Sequence, residues 1–101
     1  EIPDKNKKSS SEAPKLKEVK YTSLPENIFV GDTFEISHQS ESEVTVTYAT
    51  SNDEILSVVG NEFTALAEGE VTITATATNG YEEDVQVFTA FITFPFFVLI
   101  L

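Results

Sequence analysis

A chain of 101 residues with 41% apolar content holds one domain at most, around a single thin core. It has no cysteine, which excludes disulfides, thiolate metal sites and a cysteine nucleophile. All six basic residues are lysines (Lys5, Lys7, Lys8, Lys15, Lys17 and Lys20), so residues 21–101 carry thirteen acids and no cation, which excludes nucleic acid and disfavours an anionic membrane surface. A cationic partner, calcium or a plain self-repelling surface stays open.

Residues 1–15 hold a serine run, two prolines and many charges, and read as a flexible Lys/Ser-rich linker that buries too little to offset its ordering entropy. The chain opens on Glu1 with no apolar signal region, and we read it as a mature or trimmed fragment. Leu16–Ser23 alternates weakly and is expected as a first edge strand, interrupted at Pro25 and resumed at Ile28–Val30. Gly31-Asp32 marks a turn. Thr33–Gln39 is the second strand, with Phe34 and Ile36 inward; Gln39–Glu43 is a polar loop. Val44–Thr50 is the third strand, with Val46 and Tyr48 on one parity and in the core, Tyr48 at its centre. Ser51–Glu54 turns into a short fourth strand, Ile55–Val59, with Val58 in the core. Gly60-Asn61 gives a two-residue hairpin into a fifth strand, Glu62–Ala67, with Phe63 and Leu66 in the core. Glu70–Thr78 is the sixth, burying Val71, Ile73 and Ala75 and turning four threonines outward. Asn79-Gly80 is the strongest hairpin signal. Asp84–Phe94 is the seventh strand, and its two apolar parities predict a bulge near Phe88. Seven short strands, turns every eight to twelve residues and no helical period predict an all-β, Ig-like sandwich of about seven antiparallel strands in two sheets.

Several of these segments resemble a known family in order and spacing. They are Gly31-Asp32-Thr33-Phe34, then Val46-Thr47-Tyr48 with Ser51-Asn52-Asp53-Glu54-Ile55, then Phe63-Thr64-Ala65-Leu66 leading to Gly69, and Val71-Thr72-Ile73-Thr74-Ala75. Over residues 16–94 the chain resembles the group 2 bacterial immunoglobulin-like domain, the invasin/intimin type. Tyr48 stands where that family usually has Trp, and Leu56 where it usually has Ala. The resemblance implies a non-catalytic, extracellular module of a bacterial surface protein, acting as a spacer or adhesion domain beside other domains of the same protein. Readings beside it are a binding module for a glycan or host protein, and a phage virion decoration domain.

Chemistry has little material. His38 is the one base of suitable pKa and reads as a partly buried rim residue at the end of the second strand. Ser37 and Ser57 have no spacing that marks a triad. No phosphate loop and no His/Cys cluster occurs. In an Ig-like fold the loops alternate between two ends, which groups Glu41 and Glu43 with Glu82, Glu83 and Asp84 as a calcium candidate. Asp32, Asp53, Glu54 and Glu68 fall at the other end. The same topology brings Lys15, Lys17 and Lys20 to the first, more acidic end. Strands three and six are expected as neighbours, which aligns Thr45 and Thr47 with Thr72, Thr74, Thr76 and Thr78 on a solvent face able to meet a glycan or protein. Residues 95–101 form an apolar C-terminal extension. Its run Phe96–Leu101 is too short for a bilayer span of about 20 residues. It is expected as a truncated segment, an added edge strand or a strand paired with a neighbour.

Overall fold

The computed structural model describes residues 15–94, so the readings on residues 1–14 and 95–101 lie outside the described residues. Strands β1 (Val19–Tyr21), β2 (Ile28–Phe29), β3 (Thr33–Glu35), β4 (His38–Ser40), β5 (Thr45–Thr50), β6 (Leu56–Val59), β7 (Glu62–Ala65), β8 (Gly69–Thr78) and β9 (Glu83–Thr93) follow one another without a helix among the described residues. They form a four-stranded sheet of order β2-β9-β8-β5, a three-stranded sheet of order β3-β7-β6, and a two-stranded β1-β4 pair.

The expected count of seven becomes nine for two reasons. The first strand breaks around Pro25, and its halves join different sheets: Val19–Tyr21 pairs with β4, and Ile28–Phe29 with β9. Proline lacks the N–H that a ladder needs, so the chain changes partner there. The second strand breaks after Glu35. At Ile36 the chain leaves the ladder for the Asn61 corner: the Ile36 N–H donates to the Asn61 carbonyl (3.2 Å) and the Asn61 amide donates back to the Ile36 carbonyl (2.9 Å). This break interrupts the alternation that Phe34 and Ile36 begin. His38 is exposed, contrary to the rim burial expected, and Ser40 is half-buried in its place. One pairing also departs from the all-antiparallel expectation, since β2 runs parallel to β9.

The long strands follow the sequence alternation closely. Along β8, Val71, Ile73, Ala75 and Ala77 are buried and the threonines between them half-buried. β5 pairs with β8 through Thr45↔Thr78 and Thr47↔Thr76, as the shared threonine face requires. β8 and β9 keep one unbroken register from Gly69↔Ile92 to Thr78↔Glu83, so the bulge expected near Phe88 is absent. The even residues of β9 turn inward, with Phe88 packed against the core and Ala90 and Ile92 buried. Val85 and Val87 therefore face out. Gly60-Asn61 is the two-residue hairpin predicted, closed by Val59↔Glu62. The Asn79-Gly80 hairpin instead uses four residues, 79–82, because the Asn79 side-chain oxygen accepts from the Tyr81 and Glu82 N–H groups (2.9 and 2.8 Å).

Ile28, Ile36, Leu56, Phe63, Ala65, Val71, Ile73, Ala90 and Ile92 make one buried cluster that draws on the four-stranded and three-stranded sheets alike, an arrangement compatible with a β-sandwich. Phe34, Tyr48 and Val58 pack against it half-buried. Tyr48, expected at the centre, lies beside Phe63 with its hydroxyl donating to the Ile36 carbonyl (3.3 Å). Val46 is half-buried opposite Ala77. Leu66 corrects the sequence reading: it is 50% exposed. β7 ends at Ala65, and the Leu66 and Ala67 N–H groups both turn to the Ile55 carbonyl, so parity buries Phe63 and Ala65 and carries Leu66 outside.

Candidate interaction surfaces

The outward face of the four-stranded sheet is built by three strands in register. Thr47, Thr76 and Val85 form one row, and Ala49, Thr74 and Val87 the next, followed by Thr72 with Thr89 and Glu70 with Phe91. Val85, Val87 and Phe91 are exposed by 54%, 61% and 63%, an apolar ridge beside a threonine ladder. Glu83 stands opposite Thr78 at one end of that ladder and Glu70 opposite Phe91 at the other, leaving the rows between without charge. The far face of the three-stranded sheet differs. There the exposed Glu35 and Glu62 stand directly opposite each other. The threonines were legible in the sequence; the Val85–Val87–Phe91 ridge was not. The buried parity of Ala90 and Ile92 was the signal that locates it.

At the more acidic end Leu16 and Lys17 meet two of the acids expected there. The Leu16 N–H donates to Glu82 Oε1 (2.7 Å) and the Lys17 N–H to Ser42 Oγ (2.8 Å). Lys17 Nζ lies 3.9 Å from Glu41 Oε1, with both side chains largely in water. Asp84 accepts from the Gln86 amide (3.1 Å), which also donates to the Val19 carbonyl (3.0 Å). Thus Glu41, Glu82 and Asp84 each have a different protein partner. Among the described residues no three His, Asp or Glu side chains group as a metal site, and Glu41, Glu43, Glu82, Glu83 and Asp84 are not brought together into one. At the other end Asp32 accepts from the Phe29 N–H (2.9 Å) and Asn52 from the Glu54 N–H (2.9 Å), so these polar residues fasten turns. An exposed pair such as Lys17–Glu41 contributes about 0.2–1 kcal/mol. Replacing Lys17 with Gln is therefore expected to change the urea midpoint barely, with the difference vanishing in high salt.

Tyr21 links the β1–β4 pair to the core. Its ring meets Phe88 edge-on (centroids 5.6 Å apart) and Tyr48 likewise (6.2 Å). Its hydroxyl is the one buried side-chain polar atom without a hydrogen-bond partner among the described residues. Burial, then the Asp84 carboxylate, pushes the Tyr21 hydroxyl above the usual 10.0; burial, then Tyr21, does the same for Tyr48. Both groups hold their protons to higher pH when folded than when unfolded. Their contribution to stability is complete below pH 10.0 and is lost as pH rises past it. Two results are expected from urea titrations. Tyr21→Phe gains about 1 kcal/mol by removing an unsatisfied hydroxyl, and it flattens part of the alkaline decline. Tyr48→Phe loses about 0.5–1 kcal/mol with its hydrogen bond.

His38 is exposed on β4, and Ser57 lies on β6 in a different sheet. The Ser37 N–H is engaged by Thr22 Oγ1 (3.0 Å). No helix among the described residues is long and apolar enough to cross a membrane. Comparison with known proteins gives no matching family profile, no matching characterised protein and no matching solved structure.

Proposed function

We propose that this chain is a non-catalytic immunoglobulin-like module of the group 2 bacterial type, serving as a spacer or adhesion domain at a cell surface. The support for the fold is strand order rather than a sequence match. If β1 and β2 are halves of one interrupted strand, and β3 and β4 halves of another, nine strands reduce to seven. One sheet then holds strands one, two, five and four, and the other the second half of strand one with seven, six and three. That is the pairing order of an immunoglobulin sandwich whose first strand is shared between sheets.

The observation that carries the spacer reading is where the chain enters and leaves. Leu16 is held beside Glu82, just before β9, whereas Phe94 follows the end of that strand. Eleven residues of β9 at about 3.3 Å each separate the two points by roughly 36 Å. Copies or neighbours joined through these ends would string out along the strand axis. Small-angle scattering on one, two and three copies fused end to end tests this. The maximum dimension should grow by a constant module length per copy; compact particles of unchanged length would refute the spacer role.

A second reading rests on the charge-free ridge. Val85, Val87 and Phe91 beside the threonine ladder offer a flat face to a neutral glycan or to a protein. Screening on a glycan array and on host-matrix proteins, with Thr74→Glu and Val87→Glu as controls, tests it. Binding lost in both variants supports this reading, and binding retained in both removes it.

A further inference from the structure

We propose that the open edge of β5 takes up an extended, lysine- or arginine-bearing segment of another protein as a fifth strand of the four-stranded sheet. The site is the edge of that sheet and not its outward face, and it does not rest on the spacer role. β5 is the last strand of the order β2-β9-β8-β5 and has a neighbour on one side only. The Ser51 N–H donates to the Thr72 carbonyl (2.9 Å), and backbone bonds alternate along an antiparallel pair. Thr45, Thr47 and Ala49 therefore bond to β8, while the N–H and carbonyl groups of Val46, Tyr48 and Thr50 point away from it. Among the described residues none bonds those backbone groups from the open side. Edge strands are usually blunted by lysine, proline, a bulge or shortness. The six residues Thr45–Thr50 have none of these.

What flanks the edge selects the occupant. An open groove of about 770 Å³ lies between β5 and β6, the edge strand of the other sheet, lined by Tyr48 and Thr50 from the first and Ser57 and Val58 from the second. In a strand laid antiparallel on β5, the residue opposite Tyr48 falls on the same side of the sheet as Tyr48. Alternate side chains of that strand then enter the groove, and the rest extend the threonine face. The charge lies at the ends. Glu43 precedes β5, and the exposed Asp53 and Glu54 follow it and line the same groove. Residues 21–101 hold no cation to balance them. A strand with cations at its ends is drawn there, while main-chain bonds to the edge hold it. A second copy fits poorly, because two β5 edges paired antiparallel about Tyr48 bring Glu43 of each copy toward Asp53 of the other.

The probe is the synthetic peptide Lys-Lys-Thr-Val-Thr-Val-Thr-Val-Lys-Lys, with a version carrying Glu for every Lys as control. Each is added to the isotopically labelled full chain, and amide hydrogen exchange is read residue by residue. In the free chain the Val46, Tyr48 and Thr50 amides are expected to exchange fast. The lysine peptide should slow them by about tenfold or more, less so in high salt, and the glutamate peptide should leave them unchanged. Amides already slow in the free chain would overturn the proposal: slowing that depends on protein concentration assigns the edge to a second copy, and slowing that does not assigns it to a segment of the same chain. Protection confined to β2 or β6, equal effects of the two peptides, or no effect of the lysine peptide at millimolar concentration would overturn it too. Asp53→Lys combined with Glu54→Lys should weaken binding of the lysine peptide by about tenfold. Thr50→Pro removes an edge N–H that β8 does not use, and should abolish the protection of Tyr48. Unchanged binding in these variants would again overturn the proposal. If the proline variant does not fold, the charge variant and the two peptides still decide.

Discussion

Replacing Phe63 with Ala is expected to remove about 3–5 kcal/mol of stability, the cost of deleting a large aromatic from a core that closes poorly around the hole. Phe63 is fully buried on β7, opposite Phe34 on one side and Val58 on the other. Its ring stacks on Phe34 (centroids 5.2 Å apart, planes at 11°) and meets Tyr48 edge-on at 5.7 Å. Phe34 and Tyr48 are themselves only half-buried, so the vacancy would expose both rings to water. A domain of this size has only about 5–15 kcal/mol in total. Urea denaturation of Phe63→Ala should therefore show a far lower midpoint, or no cooperative transition at 25 °C. Val87→Ala, on the solvent face of β9, should stay within about 0.5 kcal/mol of the parent. A Phe63→Ala loss as small as that of Val87→Ala would mean that the core is elsewhere.

Gly69→Ala is expected to cost about 1–3 kcal/mol, for a reason in the backbone. Gly69 opens β8 at a φ of 150°, a conformation that side-chain-bearing residues rarely adopt. A Cβ there would also stand 2.8 Å from Ile55 Cδ1. The Ile55 side chain packs on the core, so its Cδ1 has to shift against those neighbours to make room. The variant should lower the melting temperature by several degrees without changing the β-sheet circular dichroism. As a control, Gly80→Ala meets nothing within 4 Å; at a φ of 93° it should suffer from backbone strain alone. Equal losses at the two sites would show that Ile55 yields freely.

The long strands were legible because one physical rule governs them. Where one face is buried and the other wet, a period of two is enough, and Val71–Thr78 and its pairing with Thr45–Thr50 follow from it. It failed where short strands change partners. Nothing local in Thr33–Gln39 says that the Asn61 corner will capture Ile36 and leave His38 exposed. The parallel β2–β9 contact joins residues more than sixty positions apart, and no turn signal encodes it. Leu66 was misplaced although alternation from Phe63 and Ala65 already points it outward; its hydrophobicity outweighed its parity. In β9 both parities are apolar, so the sequence could not say which one the core would take. The structure resolves it through Ala90 and Ile92, and in doing so exposes the ridge that the threonine ladder borders.

The first segment of the chain is divided between two sheets, with Val19–Tyr21 against β4 and Ile28–Phe29 parallel to β9. Long-range nuclear Overhauser contacts in the isotopically labelled chain test it most directly. Backbone contacts are expected of Lys20 with Gln39, and of Ile28 and Phe29 with Ile92 and Thr93 in the staggered pattern of parallel strands. Contacts of Ile28–Phe29 with β4, continuing the antiparallel ladder of Val19–Tyr21, would contradict it, and with it the immunoglobulin-like order.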